Sequence, residues 1–403
     1  MATPPRFAMK AGMTSRRLVL AVSCLALAGC SGDDPTEQPP PEPQAALLAP
    51  GDSDVGYTEV TITYTPAGSN DERSLLVRLW YPAVDGGEEA ATYSLAGVVS
   101  VPNEAVLDTP AVAAGDFPVV VYSHGNGGDG LTAYPYGEHF ASHGWILASL
   151  NHTGNTALEL AGGNGAPFAR VALNRPQDVA AVIDWLETDD GSPVAGVART
   201  DDTLLFGHSF GGYTTFAAAG AKLDFDALLA ACSGEDCGIY QDPDVEAAYR
   251  AGFRDPRIKA IAPQAPALIR GMLPGELAGL EVPTLMMSGR KDITTPDAET
   301  SIPAWKGLDD PRDLWLEMPD GGHITFLTVC SDLDAETLDV FQPTATMDGC
   351  GPEFIDPQVA IPIMNGYMLG FARAHVLGES EWLEVLEGPA WNEGFVLTES
   401  DGS

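Results

Sequence analysis

Residues 203–212 read Thr-Leu-Leu-Phe-Gly-His-Ser-Phe-Gly-Gly, an apolar run followed by the pattern Gly-x-Ser-x-Gly around Ser209. The run predicts a buried strand, and the small apolar residues that continue to 220 predict a helix. A serine on the sharp turn between them has its hydroxyl lifted above the sheet, and the glycines allow close approach. With 44 glycines among 403 residues, the pattern also arises by chance, so it is weak evidence alone. The flanking strand and helix make it specific. The stretch predicts Ser209 as a nucleophile.

Apolar runs elsewhere predict the rest of the sheet. Two alternating runs, 58–64 and 75–81, predict an antiparallel pair at the sheet edge. Further predicted strands and helices alternate along the chain: strands at 117–122, 145–150, 258–261, 283–287 and 314–318, and helices at 133–142, 175–186, 210–220 and 358–376. Such alternation implies an α/β fold, a mostly parallel central sheet with helices on both faces. We expect one catalytic domain over 51–403, with an insertion at 224–253 that shapes the site.

An alcohol becomes a nucleophile only when a base takes its proton. His323 follows the last predicted strand on a Gly-Gly loop, at the edge of the sheet where Ser209 is expected. We therefore predict His323 as the base, and we expect His208, beside the nucleophile, to point away from the site. His124 lies in a glycine-rich loop, and His152 follows a predicted strand, where its side chain could line the pocket. The other three histidines, His139, His143 and His375, lie on predicted helices.

The base needs an acid to hold its tautomer. Asp292 directly follows a predicted strand and is the first candidate, while Asp297 and Asp320 remain alternatives. The order Ser209, Asp292, His323 is the order of the three residues in α/β-hydrolases. The sequence therefore predicts a Ser-His-Asp triad.

The developing oxyanion needs hydrogen-bond donors. One is the N–H of Phe210, the residue after the nucleophile. The second is expected from the loop 123–128, Ser-His-Gly-Asn-Gly-Gly, where we assign it to Asn126, with Gly125 as the alternative. His124, Gly125 and His152 are candidate pocket residues.

No metal or cofactor is expected. His139 and His143 lie four apart on a predicted helix, but Phe140 stands where a metalloprotease motif has its glutamate. The cysteine spacings lack the paired C-x-x-C ligands of a zinc site. Hydrolysis by a serine triad needs neither group.

Several segments of the chain resemble platelet-activating-factor acetylhydrolases and their bacterial relatives, which are often labelled dienelactone-hydrolase-like. The resemblance spans about residues 57–375, and it implies an α/β-hydrolase fold and a serine esterase acting on short acyl or oxidised-chain esters. True dienelactone hydrolases have a cysteine nucleophile, so Ser209 favours esters over lactones. Similar turns occur in polyester hydrolases and chlorophyllases, which leaves a polymer substrate as an alternative. The matching segments are 118–125, 151–152, 175–178, 205–212, 289–296 and 323–326.

The start of the chain has the features of a targeting segment. Arg16 and Arg17 precede an apolar run over 18–28 that is too short to span a bilayer. Leu-Ala-Gly-Cys, ending at Cys30, resembles the lipobox of bacterial lipoproteins. The resemblance implies a signal peptide over 1–30 and a lipid-modified Cys30 that anchors an exported protein to a membrane, on its periplasmic or cell-surface side. An ordinary signal peptide remains the alternative.

Residues 31–50 are rich in proline and acidic side chains, which predicts an extended tether. Beyond Cys30, four cysteines remain, and an even number in an exported chain suggests two disulfides. Of the three possible pairings we favour the local one, because each bond then closes a loop without spanning the domain. The predicted disulfides are Cys232–Cys237 and Cys330–Cys350.

The chain has 57 acidic and 20 basic residues, a net charge of −37. So acidic a protein should repel nucleic acid, and we expect no such partner. The resemblance to the acetylhydrolases implies a small-molecule or lipid ester as substrate. The charge also suggests tolerance of high salt. A non-catalytic surface binding lipoprotein and a peptidase remain alternative functions, and no feature indicates an oligomeric state.

Overall fold

The structure is a computed structural model of the chain. It describes residues 43–95, 99–188, 191–233, 235–334, 336–338 and 342–400.

A sheet of twelve strands, counted over these residues, forms the centre of the molecule. The strands are β1 Asp54–Tyr64, β2 Arg73–Val84, β3 Ala90–Leu95, β4 Val99–Asp108, β5 Ala111–Val112, β6 Phe117–Ser123, β7 Ile146–Leu150, β8 Ala198–His208, β9 Ile258–Gln264, β10 Leu285–Gly289, β11 Leu314–Met318 and β12 Val396–Glu399. Their order is β12-β11-β10-β9-β8-β6-β7-β2-β1-β4-β3, and β5 pairs with β2. The run from β7 through β6, β8, β9 and β10 to β11 is parallel throughout. The mostly parallel sheet is confirmed.

The helices cover both faces of the sheet. They are α1 Pro43–Leu48, α2 Tyr134–Ser142, α3 Ala157–Ala161, α4 Phe168–Glu187, α5 Phe210–Ala219, α6 Phe225–Ala231, α7 Pro243–Ala251, α8 Ser301–Gly307, α9 Val329–Asp332, α10 Pro357–His375 and α11 Leu383–Leu386. One core packs α4, α5 and α7 against the sheet, and the other packs α1, α2 and α10 on the opposite face. Among the described helices, none is long and apolar enough to cross a membrane.

The antiparallel pair β1–β2 is present, but its predicted place at the edge is wrong. β1 also pairs in parallel with β4, and β3 lies outside β4. At the other edge, β12 pairs antiparallel with β11. The chain therefore returns to the sheet after the last predicted helix, 358–376. The apolar runs did not predict β3, β4, β5 and β12. β4 contains Pro102 and Asn103, β5 has two residues, and β12 is short and half exposed.

The folded body begins before residue 51, the predicted boundary of the tether. α1 lies within the predicted tether, yet Leu47 is completely buried. Its side chain packs on α10 at Gly370, where an added Cβ would lie 3.0 Å from Leu47 Cδ1. A fully buried leucine contributes roughly 1.5–3 kcal/mol, which helps to hold α1 against α10. The predicted signal peptide, Cys30 and the first part of the tether lie outside the described residues.

Both predicted disulfides are present. Cys232–Cys237 lies in the 224–253 segment, and Cys330–Cys350 closes a loop that follows β11. The 224–253 segment packs through α6 and α7 on the core around α4 and α5; for example, the Tyr249 hydroxyl donates to Ala169 O at 2.8 Å.

A half-buried carboxyl on α2 should make stability depend on pH. Glu138 Oε1 accepts hydrogen bonds from Tyr93 Oη at 2.8 Å and Asn103 Nδ2 at 2.6 Å, which joins α2 to β3 and β4. Burial, only partly opposed by these bonds, raises the pKa of Glu138 from 4.5 to about 7. The folded state then holds the proton more tightly than the unfolded state, so stability falls as pH rises from about 4.5 to about 7.

Glu138→Gln should remove that loss, since the neutral amide keeps an oxygen for both donors. Between pH 4.5 and pH 8, the free energy of unfolding of the variant should rise by about 3 kcal/mol relative to that of wild type, as measured by urea unfolding. Glu384→Gln on the exposed side of α11 controls for the change in net charge. An equal difference between Glu138→Gln and wild type at both pH values would contradict the expectation.

Candidate active site

Ser209 occupies a strained turn between β8 and α5. Its φ of 57° lies in the left-handed region that non-glycine residues avoid. The turn is fixed by its backbone: Ser209 N donates to Gln264 O at 2.8 Å, and Ser209 O accepts from Ala267 N at 3.0 Å. A Cβ added to Gly207 would lie 2.5 Å from the carbonyl oxygen of Gly211, so glycine is required there. The residues 207–212 thus form the predicted strand–turn–helix.

A hydrogen bond joins the side chains of His323 and Asp292. His323 Nδ1 lies 2.7 Å from Asp292 Oδ2, and both side chains are almost completely buried. Thr295 completes the arrangement: its N–H donates to Asp292 Oδ1 at 2.6 Å, and its hydroxyl donates to Oδ2 at 2.7 Å. The carboxylate therefore accepts three bonds, and His323 Nε2 is left available for a second partner.

The electrostatics of Asp292 suit an ionised acid. Burial opposes its charge, but the hydrogen bond and charge of His323, with the two bonds from Thr295, hold the pKa of Asp292 below its usual value. The two alternative acids lie elsewhere. Asp320 forms an ion pair with Lys291 at 2.7 Å on the surface. The carboxyl of Asp297 lies beside the hydroxyls of Ser301 and Ser288.

His208 does not point away from the site, contrary to the expectation. Its Nε2 donates to the carbonyl oxygen of His323 at 2.8 Å, and the two rings lie 4.6 Å apart. Burial, together with the charge of His323, lowers the pKa of His208 to about 3. His208 is therefore neutral and supports the loop that carries His323. Adjacency to Ser209 in the sequence hid this contact, because His323 is distant along the chain.

The loop after β6 approaches the turn at Ser209. An added Cβ on Gly125 would lie 3.3 Å from Ser209 Cβ. In the same loop, Gly127 N donates to Asn155 O and Gly128 N to Gly125 O, both at 3.2 Å. These two amides are occupied, so Asn126 and Gly125 stay the candidates for the second oxyanion donor. Asn126 is held through its side-chain oxygen, which accepts from Asn155 Nδ2 at 2.8 Å.

Contrary to the prediction, His124, within this loop, and His152, after β7, do not line the pocket that contains Ser209 and His323. Both are fully buried and consistently bonded as neutral rings. His152 Nδ1 donates to Asp178 and its Nε2 accepts from the Ser123 hydroxyl at 2.9 Å. His124 Nε2 accepts from His152 N at 3.0 Å. Burial, then the charge of Arg175, holds the pKa of both histidines well below the usual value.

Arg175 of α4 connects the two sides of the site. It donates to His124 O and to Asn155 Oδ1, and its guanidinium lies 4.7 Å from the centre of the Phe210 ring. Burial lowers the pKa of Arg175 to about 9, which leaves it charged at neutral pH. In the sequence, Arg175 begins a predicted helix and one of the segments that resemble the acetylhydrolases, but nothing local indicated that it contacts both candidate oxyanion segments.

Ser209 and His323 open into one pocket. It encloses about 720 Å³ of empty space, its open mouth included, and its walls are mainly apolar. The lining comprises Leu95, Tyr122, Gly125, Asn126, Gly127, Gly128, Asp129, Thr132, Ala157, His208, Ser209, His323, Ile324, Leu327, Val329, Leu333 and Gln342. Among the described residues, the 224–253 segment contributes nothing to this lining, so the prediction that it shapes the site is wrong. Its buried side chains, Phe225, Tyr240, Val245, Ala248 and Tyr249, belong to the core around α4 and α5 instead.

The described residues contain no group of three or more histidine, cysteine or acidic side chains that could hold a metal ion.

Comparison with known proteins identifies the fold. No family model and no curated protein matches the chain. Among solved structures, a ferulic acid esterase from Streptomyces cinnamoneus is similar, with a TM-score of 0.58 and 22% sequence identity over 82% of this chain and 93% of that chain. The chain has an α/β-hydrolase fold. At this identity the likeness shows the fold, and the chemistry rests on the residues described above.

Proposed function

We propose that the protein is a serine carboxylic-ester hydrolase. The observation that carries the proposal is the buried hydrogen bond between Asp292 and His323. His323 lines the same pocket as Ser209, which occupies the strained turn. The esterase activity in the name of the similar structure supports the same reaction class.

In the proposed reaction, Ser209 Oγ attacks the ester carbonyl and His323 Nε2 takes its proton. Asp292 holds the Nδ1–H tautomer and stabilises the imidazolium. The amides of Phe210 and Asn126 donate to the oxyanion. His323 then protonates the leaving alcohol, and water, activated by the same imidazole, releases the acid from the acyl-enzyme.

The pocket favours neutral, apolar acyl groups. Leu95, Leu327, Val329 and Leu333 supply aliphatic surface, and no lysine or arginine occurs among the described lining residues. The lining also contains the acidic residue Asp129. Its charge is compensated by an ion pair with Arg78 at 3.0 Å. We therefore propose short-acyl or lipid-type esters as substrates, as in platelet-activating-factor acetylhydrolase-like enzymes.

Exposed apolar side chains around the site favour a second candidate, hydrolysis of lipid aggregates or polyesters. Phe168 is half exposed and stacks on Phe210, and Leu158 and Leu160 project from α3. Ile293 and Met347, also exposed, follow Asp292 and precede Asp348 in the chain. Large exposed apolar residues gathered near a site often mark a surface that contacts an apolar partner.

We also propose that the protein is exported and anchored through Cys30. Two disulfides fit an oxidising compartment. Metabolic labelling with a fatty-acid analogue tests the anchor, because Cys30→Ser should abolish incorporation.

A series of p-nitrophenyl esters tests the proposed activity and the pocket. Each added acyl CH₂ should raise kcat/KM up to about fourfold, in line with roughly 0.8 kcal/mol per buried CH₂, until the pocket is filled. p-Nitrophenyl succinate, with a terminal carboxylate, should be turned over at least tenfold (an order-of-magnitude figure) more slowly than the butyrate ester, because its charge would lose water without gaining a cation. If no ester is turned over and a fluorophosphonate probe does not label the protein, the proposal is wrong and a non-catalytic binding lipoprotein is favoured.

A further inference from the structure

Asp348 lies in a segment to which the sequence assigned no role. It is 0% exposed, yet it is a carboxylate, and its two oxygens accept four hydrogen bonds. A buried carboxylate with this many donors is held in a fixed position by its surroundings, and it fixes them in turn.

Three of the four donors belong to the loop that carries the acid. Ile293 N donates to Asp348 Oδ1 at 3.0 Å, and Thr294 donates to Oδ2 through its N–H at 3.1 Å and its hydroxyl at 2.7 Å. These residues directly follow Asp292. The position of Asp348 therefore sets the path of the chain as it leaves the acid.

The fourth donor is the backbone amide of the proposed base, His323. His323 N donates to Asp348 Oδ1 at 2.9 Å, and the next amide, Ile324 N, donates to the main-chain oxygen of Asp348 at 2.8 Å. Asp348 Oδ1 thus receives Ile293 N and His323 N together. One oxygen atom links the acid loop to the base loop.

The backbones are packed too closely for this arrangement to shift easily. An added Cβ on Gly322 would lie 2.5 Å from the carbonyl carbon of Asp348, and one on Gly349 would lie 2.7 Å from Thr325 N. Gly349 also has a φ of 134°, which favours glycine. The Cys330–Cys350 disulfide ties the end of the segment to α9.

We propose that Asp348 is a positioning residue of the catalytic site, which sets the distance between Asp292 and His323 by binding both of their loops. The proposal rests on the proposed esterase function. Asp348 does not line the pocket and does not touch the substrate, so its loss should lower kcat with little change in KM.

Asp348→Ala tests this role, with Asp313→Ala as the matched control. Asp313 is also buried and accepts backbone donors, Thr284 N at 2.8 Å and Asp310 N at 3.1 Å, but it lies at the opposite end of β11. Asp348→Ala should lower kcat on a p-nitrophenyl ester by about 100-fold, the cost of a misplacement of about 1 Å, with KM within about threefold. Asp313→Ala should cost stability but leave kcat of the folded protein within about twofold.

Asp348→Asn gives a partial rescue and guards against a variant that does not fold. Its amide oxygen can still accept His323 N and Ile293 N, while the donors of Thr294 lose their acceptor. Its kcat should lie between those of wild type and Asp348→Ala. If Asp348→Asn and any folded Asp348→Ala keep kcat within about twofold of wild type, the positioning role is wrong.

The downfield proton NMR signal of the Asp292–His323 hydrogen bond separates this proposal from the esterase proposal. It does not depend on turnover, and it should shift or broaden in Asp348→Asn but stay unchanged in Asp313→Ala. A wild-type protein without ester turnover would contradict the function alone, whereas an unchanged signal in Asp348→Asn would contradict the positioning.

Discussion

Ser209→Ala should lower kcat on p-nitrophenyl esters by on the order of 10⁵–10⁶. The hydroxyl is the only group of residue 209 that can form the acyl-enzyme, and the mechanism has no alternative route through that intermediate. Turnover that remains should come from the oxyanion donors and substrate binding, which act on water attack as well. Labelling by a fluorophosphonate probe should be lost completely.

The variant should stay folded, which makes the loss interpretable. Ser209 is held by its backbone, through Gln264 O and Ala267 N, and alanine keeps these bonds. Circular dichroism and the urea midpoint should match wild type. Ser331→Ala, a hydroxyl that donates to Thr328 O outside the pocket, should keep full activity and labelling. Ester turnover by Ser209→Ala within tenfold of wild type (an order-of-magnitude limit) would show that another residue is the nucleophile.

The sequence was sufficient for the centre of the fold because its signals there are local. Buried parallel strands are continuous apolar runs, and residues 204–206 and 285–287 are both of this type. The turn at Ser209 needs glycine at fixed offsets, and Gly207 and Gly211 are visible without any structure. His323 was predicted as the base because it follows a strand at the edge where Ser209 was expected.

The outer strands could not be predicted in the same way. β3 pairs with β4 through a bulge, and β4 reaches β1 by only a short register at its end. β12 consists of four residues that become a strand only by pairing with β11. Their structure depends on partners distant in the sequence, so alternation within each segment carries little signal.

The supporting residues of the site were missed for a related reason. Asp348 follows no strand and belongs to no motif, and its role depends on two loops that precede it by at least 24 residues, Ile324 being the nearest contact (348 − 324 = 24). Arg175 begins a predicted helix, and a charged side chain there gives no signal that it is fully buried. Sequence spacing predicted the groups that we propose to react, but it did not identify the residues that contact and hold them.

Asp292→Asn should lower kcat about 10⁴-fold while the protein stays folded. The matched variants Asp297→Asn and Asp320→Asn, at the two alternative acids, should stay within about threefold of wild type in the same p-nitrophenyl ester assay. If one of them falls by the larger factor instead, the acid has been assigned to the wrong residue.

The size of the effect follows from how an asparagine amide must sit. Thr295 N–H points at Oδ1 from 2.6 Å and needs an oxygen there, so the amide NH₂ of the variant takes the place of Oδ2. That NH₂ then faces His323 Nδ1, which lies 2.7 Å from Oδ2 in the wild type. A donor facing Nδ1 favours the tautomer protonated at Nε2, and Nε2 can then no longer accept the proton of Ser209. Thr295→Val, which keeps the N–H but removes the hydroxyl bond to Oδ2, should cost far less, because the tautomer of His323 is unchanged.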